Sequence, residues 1–172
     1  MTHYLEEQSE FSDLCELIVN CSICVDTEFV RRNTYFSILS LIQISFNNKI
    51  YVVDCLKIKD LSPFFKVLED PSVKKILHSC FQDLQIFYQA SGKMLQNFED
   101  TQILANFCGY DLNIGYSTLV DKFLNKKIDK KLQNSNWLKR PLSKEQINYA
   151  AGDVLYLEKP YNDLAREVES RG

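Results

Sequence analysis

Three runs of apolar and β-branched residues in the first third of the chain predict β-strands. They cover residues 22–30 (SICVDTEFV), 36–46 and 49–56, and the Asn47-Asn48 pair between the last two suits a tight hairpin turn. Before them, apolar residues at helical spacing predict a short helix over 11–20. The chain therefore begins with a helix and a group of strands that includes one antiparallel pair.

The remaining two thirds of the sequence alternate short strands with helices. Residues 73–78 and 97–100 predict two further strands, and a serine followed three residues later by a glutamine predicts capping boxes at Ser79 and Ser143. Helices are expected at 62–68, 80–90, 101–108, 117–124, 143–157 and after 160. The lysine-rich segment 125–136 has no clear periodicity. The pattern predicts an α/β domain, with a mixed five-stranded sheet flanked by helices.

Length and composition place the protein among ordinary globular domains. The chain has 172 residues, of which 45% are hydrophobic and 25% charged, so we expect one domain with a proper core. No apolar run approaches the roughly 20 residues of a membrane span, and the polar, acidic N-terminus is unlike a targeting leader. We expect a soluble, cytoplasmic protein with no membrane partner.

Charge and cysteine content exclude two simple kinds of protein. A formal charge of −3 excludes a nucleic-acid binder that coats phosphates with a strongly basic surface, but not an acidic site that recruits metal ions. Cys21 and Cys24 form a Cys-x-x-Cys motif without the second ligand pair that a zinc site needs. We expect these and the other cysteines to be ordinary strand or core residues.

Two acids interrupt the first predicted strand. Asp26 and Glu28 are two residues apart, so both side chains emerge on the same face of the strand, between core-type neighbours. Carboxylates side by side in apolar surroundings repel each other and lose hydration, and a divalent cation would relieve both effects. The alternative is a strand edge with two solvated acids.

Two helices carry further candidate residues. Tyr149 and Asp153 are four residues apart in the last long helix, so the phenol and the carboxylate lie on one face. Asp83 lies early in the helix that follows His78, where a helix dipole favours an anion. Taken singly, each of these positions is also typical of an ordinary half-buried tyrosine or a common N-terminal acid.

Together the three sites form a more specific pattern. The sequence resembles ribonuclease D and the tyrosine branch of the DEDD superfamily of 3'-5' exonucleases. The three family motifs are similar to residues 25–30 (VDTEFV), 78–84 (HSCFQDL) and 149–154 (YAAGDV), and family-like stretches lie at 41–43 (LIQ), 100–105 (DTQILA) and 137–142 (WLKRPL). The resemblance covers almost the whole chain. It ends where ribonuclease D continues into helical RNA-binding domains, so we expect one catalytic domain over 1–172.

The resemblance implies a ribonuclease H-like fold and hydrolysis with two divalent ions, Mg²⁺ or Mn²⁺. By resemblance, Asp26 would bridge both ions, Glu28 and Asp153 would hold the ion that carries water, and Asp83 would support the second. Tyr149 would orient the attacking water. The substrate would be a single-stranded RNA 3' end, with DNA as a further possibility, and the products would be nucleoside 5'-monophosphates.

Several basic or aromatic residues are candidates for substrate contacts. His78, Arg31, Lys130 and Lys131 are the predicted substrate-binding residues, and Arg32 is a weaker candidate. The alternatives are a core histidine at His78 and a merely solvated basic face for the others.

Two other functions stay open: a catalytically silent binding module, and a metal-dependent phosphatase-like enzyme acting on small nucleotides. In the family-like stretch at 100–105, Asp100 could belong to the site or only cap a helix.

Overall fold

A computed structural model describes residues 1–31 and 35–171. Its strands are β1 (Thr2–Leu5), β2 (Ser22–Val30), β3 (Ile38–Phe46), β4 (Lys49–Asp54), β5 (Lys74–Leu77) and β6 (Phe98–Asp100). Its helices are α1 (Gln8–Leu17), α2 (Ser62–Glu69), α3 (Phe81–Ser91), α4 (Thr101–Phe107), α5 (Tyr116–Leu124), α6 (Lys144–Leu155) and α7 (Glu158–Arg171). Each predicted strand and helix is present, with its ends shifted by a few residues.

The strands form one mixed sheet in the order β1-β4-β3-β2-β5-β6. β2, β3 and β4 pair antiparallel, whereas β1 with β4, β2 with β5 and β5 with β6 are parallel. The predicted α/β class and mixed sheet are confirmed, but the count of five strands is wrong. The sixth strand, β1, is a polar edge segment in which only Leu5 is buried, so its sequence carries no strand periodicity.

Helices cover both faces of the sheet. Phe11, Phe64 and Phe87, from the first three helices, pack with Ile42 and Ile44 of β3 on one face. On the other face, the α6 side chains form a second cluster with apolar strand residues, whose buried members include Cys24, Leu41, Val52, Ala150, Ala151 and Val154. Each of the six cysteines is a free thiol. Among the described helices, none combines the length and apolar character needed to cross a bilayer.

The N-terminus of α3 is held by a residue from a neighbouring strand. Ser79 has a φ of 56°, and the helix begins only after Cys80, so the predicted capping box at Ser79 is wrong. Instead, the Asp100 carboxylate accepts hydrogen bonds from the backbone N–H groups of Ser79 and Cys80, both at 2.9 Å, and from that of Gln102 at 2.8 Å. Asp100 therefore caps α4 and also holds the turn that leads into α3. The capping box at Ser143 is confirmed.

A buried ion pair anchors the loop before α6 to the sheet. The Arg140 guanidinium donates to both carboxylate oxygens of Asp54, from Nε at 2.6 Å and from Nη2 at 2.7 Å. It also donates to the backbone carbonyl of Trp137 at 2.7 Å, and Tyr4 donates its hydroxyl to Asp54. Burial favours a raised pKa for Asp54, but the hydrogen bonds from Arg140 and Tyr4 outweigh it and lower the pKa.

We expect Arg140→Met to lower the free energy of unfolding by about 3–5 kcal/mol, because it leaves the fully buried Asp54 carboxylate without its cation. Urea denaturation measures this change. The exposed Arg166→Met should cost less than about 0.5 kcal/mol, and adding Asp54→Asn to Arg140→Met should recover part of the loss. Equal effects of Arg140→Met and Arg166→Met would contradict this role.

Candidate active site

Four side chains that the sequence singles out line one cavity on the α6 side of the sheet. The cavity has a volume of about 220 Å³ and is bordered by Asp26, Glu28, Tyr149 and Asp153. The two acids share a face of β2 because side chains alternate along a strand. The tyrosine and the aspartate share a face of α6 because they are one helical turn apart. The small Ala150 and Ala151 are buried between α6 and the strands, which allows this close approach.

Asp83 reaches the same group of acids from α3. It lies in the first turn of this helix, is buried, and accepts a hydrogen bond from the Thr27 hydroxyl. Thr27 lies between Asp26 and Glu28 on β2, so this bond fixes the segment that carries Asp83 to the strand that carries the first two acids. The predicted catalytic acids, from segments far apart in sequence, are therefore brought together by the fold.

The proximity of these carboxyl groups shows in their pKa values. Burial, followed by repulsion from Asp83, Asp153 and Glu28, raises the pKa of Asp26 well above its ordinary range. Burial and the charges of Asp153 and Asp83 raise the pKa of Glu28 to about 9. Burial raises the pKa of Asp153 to about 7 and, against the hydrogen bond from Thr27, that of Asp83 to about 6. Without a cation, the cluster is therefore too repulsive to stay fully ionised at neutral pH.

The donor set fits hard divalent cations that keep much of their own hydration. No three of the histidine, cysteine or acidic side chains in 1–31 and 35–171 converge closely enough to hold a metal ion by themselves. Mg²⁺ does not require such a cage, because it is usually bound through one or two carboxylates together with water and substrate phosphates. Asp26, Glu28, Asp83 and Asp153 supply carboxylates of this kind, and their mutual repulsion gives a reason to bind cations.

Tyr149 is held beside the acids by packing. Its ring lies against that of Trp137, with the centroids 5.9 Å apart, and Trp137 belongs to the loop that Arg140 anchors. Burial and the neighbouring charges of Asp153 and Glu28 raise the pKa of the Tyr149 hydroxyl. The phenol therefore stays protonated at neutral pH, where it can donate a hydrogen bond but cannot act as a base.

His78, one of the predicted substrate-binding residues, also lines the cavity. Its Nδ1 lies 2.9 Å from the Thr101 hydroxyl, whereas Nε2 is buried without a partner among the residues described. Burial lowers the pKa of His78, so its ring is neutral near pH 7.

The sequence did not single out Tyr116 and Gln133, which line the same cavity. Tyr116 donates to the Gly152 carbonyl at 2.8 Å and so fixes α6.

The predicted basic residues lie at different distances from the acids. Lys130 borders a second cavity that shares His78, Tyr149 and Asp153 with the first. Lys131 is exposed beside a third cavity and pairs with Asp129 at 3.3 Å. Arg31 is exposed on a separate groove, past the end of β2. Arg32 lies outside the described residues.

Comparison with known proteins extends this picture. A family model described as 3'-5' exonuclease matches residues 2–169. Ribonuclease D of Haemophilus influenzae is 43% identical over 157 residues, which cover 91% of this chain and 39% of that protein. The chain spans about two fifths of the length of the curated relatives it matches.

Solved structures agree with the sequence comparison. The crystal structure of Escherichia coli RNase D, described as an exoribonuclease involved in structured RNA processing, matches with a TM-score of 0.95 and 37% identity, over 99% of this chain and 46% of that one. Brucella melitensis NrnC with bound Mg²⁺ matches with a TM-score of 0.78 and 27% identity, over 99% and 81%. The resemblance to ribonuclease D and the ribonuclease H-like fold that it implies are confirmed. The chain belongs to the 3'-5' exonuclease family.

Proposed function

We propose that this protein is a metal-dependent 3'-5' exoribonuclease that shortens single-stranded RNA and releases nucleoside 5'-monophosphates. The observation that supports this most is the convergence of Asp26, Glu28, Asp83, Asp153 and Tyr149 at one site. The relatives named as ribonuclease D support RNA as the substrate, although DNA fits the same chemistry. Its free thiols suit the reducing cytoplasm.

The four carboxylates would hold two divalent ions, Mg²⁺ or Mn²⁺. Asp26 would contact both, Glu28 and Asp153 one, and Asp83 the other. When bound, the ions would acidify water and offset the charge of the scissile phosphate. The Mg²⁺ in the NrnC structure supports this choice of cation. Among the described residues that line the cavity, none is an arginine or a lysine, so the carboxylate oxygens are available as ligands for the ions.

Tyr149 would orient the attacking water rather than deprotonate it. Its hydroxyl is protonated at neutral pH, and packing against Trp137 limits where it can point. Neutral His78, which lines the cavity, would contact the terminal nucleotide. Lys130 and Lys131, with Arg31 further out, would contact backbone phosphates and give binding that weakens with salt.

We expect a 5'-labelled single-stranded RNA with a 3' hydroxyl to be shortened stepwise in Mg²⁺ or Mn²⁺, and to be untouched in excess EDTA. A 3' hairpin should stall digestion, because unstacking each base pair costs about 1–2 kcal/mol before the last phosphate can reach the acids. Gel resolution of the products by length measures both effects.

A circular RNA and a 3'-phosphorylated RNA serve as controls in the same assay. Cleavage of the circle at the rate of the linear RNA would show an endonuclease. Release of phosphate from mononucleotides without shortening of RNA would favour the phosphatase-like alternative. Retention of RNA without any hydrolysis would favour a binding module. Each of these three results would contradict the proposed function.

We expect Tyr149→Phe to lower kcat by about 10- to 1000-fold with nearly unchanged KM, because the ring packing stays and only the orienting hydroxyl is lost. Steady-state kinetics on the same RNA measures both constants. Tyr156→Phe, which removes a phenol hydroxyl just past the end of α6 and outside the acid cavity, should leave both unchanged. A rise in KM alone would instead make Tyr149 a substrate contact.

A further inference from the structure

A buried glutamine lies directly beside the acid cluster. Gln43 on β3 is opposite Asp26 on β2 in the antiparallel ladder, and its other neighbour across the sheet is Val52 on β4. Side chains directly opposite in such a ladder have Cβ atoms about 5 Å apart on the same face. The Gln43 amide is therefore within reach of the Asp26 carboxylate.

The Gln43 amide has no structural partner. Its side chain is 0% exposed, and neither Nε2 nor Oε1 has a hydrogen-bond partner within the described part of the chain. Leu41, Val52 and Cys24 on the same face are apolar and belong to the cluster under α6. An aliphatic side chain would suit these surroundings better, because an unpaired buried amide is destabilising. Packing alone does not explain a glutamine at this position.

The chemistry of an amide fits the need of the neighbouring acid. A carboxylate that binds a cation through one oxygen still has lone pairs on the other oxygen. An N–H group that donates to that second oxygen fixes the orientation of the carboxylate. A lysine or arginine in this place would neutralise the charge that attracts cations. A neutral amide orients the carboxylate and leaves its charge intact.

We propose that Gln43 is a positioning residue for the metal site, with its Nε2 donating to the Asp26 carboxylate when divalent ions are bound. This inference rests on the proposed metal-dependent function. It assigns a role to a residue that binds neither the ion nor the RNA itself. It also accounts for a buried amide that has no partner among the residues that the structure describes.

The test compares Gln43→Met with Ile44→Met, which changes the next residue of β3 on the opposite, buried face. Calorimetric titration with MgCl₂ in the absence of RNA gives the affinity for Mg²⁺, and thermal melting in EDTA gives the stability of the metal-free fold. We expect Gln43→Met to weaken Mg²⁺ binding by about 10- to 100-fold. Its melting temperature in EDTA should be unchanged or higher, since an unpaired amide is removed. Ile44→Met should bind Mg²⁺ as the wild type does.

The outcomes separate this inference from the proposed function. If wild type and Gln43→Met bind Mg²⁺ equally well, the role of Gln43 is wrong while the metal site stands. If Gln43→Met only melts earlier in EDTA with unchanged Mg²⁺ affinity, the amide is structural. If the wild type itself binds no Mg²⁺, both proposals fail. Gln43→Leu repeats the comparison should Gln43→Met not fold.

Discussion

Three carboxyl groups line one small cavity and that of Asp83 lies close enough for its charge to act on Asp26, so mutual repulsion and loss of hydration dominate this site. Burial alone raises the pKa of each, and the neighbouring charges add to the effect at Asp26 and Glu28. A cluster of this kind lowers the stability of the metal-free protein whenever it ionises. The surrounding structure must therefore hold the acids in place: Thr27 donates to Asp83, Asp100 holds the turn before α3, and α6 packs closely through alanines.

A second buried acid in this protein, Asp54, has its charge balanced by an arginine. Asp54 is fully buried, yet it receives two hydrogen bonds from Arg140, and its pKa falls instead of rising. No arginine or lysine lines the cavity that contains Asp26, Glu28 and Asp153 in the described part of the chain. The contrast supports the proposal that divalent ions balance the charge of this cluster. The two buried sites are also connected, since Arg140 holds the loop of Trp137, and Trp137 packs on Tyr149.

Local periodicity predicted the parts of the site that lie within one element. The alternation of a strand places Asp26 with Glu28, and one helical turn places Tyr149 over Asp153; both follow from spacing alone. The meeting of these segments with Asp83 depends on sheet order and came only from the resemblance to a family. Features set by contacts between distant segments were missed, such as the edge strand β1 and the hydrogen bonds from Ser79 and Cys80 to Asp100. The unpartnered amide of Gln43 is likewise visible only once the neighbouring strands are in register.

The central claim is that the acid cluster binds divalent ions in competition with protons, and thermal melting tests it most directly. The folded carboxyl groups have pKa values above their unfolded values, so the native state holds extra protons, and metal-free stability should fall as pH rises through about 6 to 9. Melting temperatures measured in EDTA should therefore be lower at about pH 8.5 than at about pH 6. Saturating Mg²⁺ should restore about 5–10 °C at the higher pH and much less at the lower one. A melting temperature in EDTA that does not change with pH, together with no response to Mg²⁺ at either pH, would contradict this account.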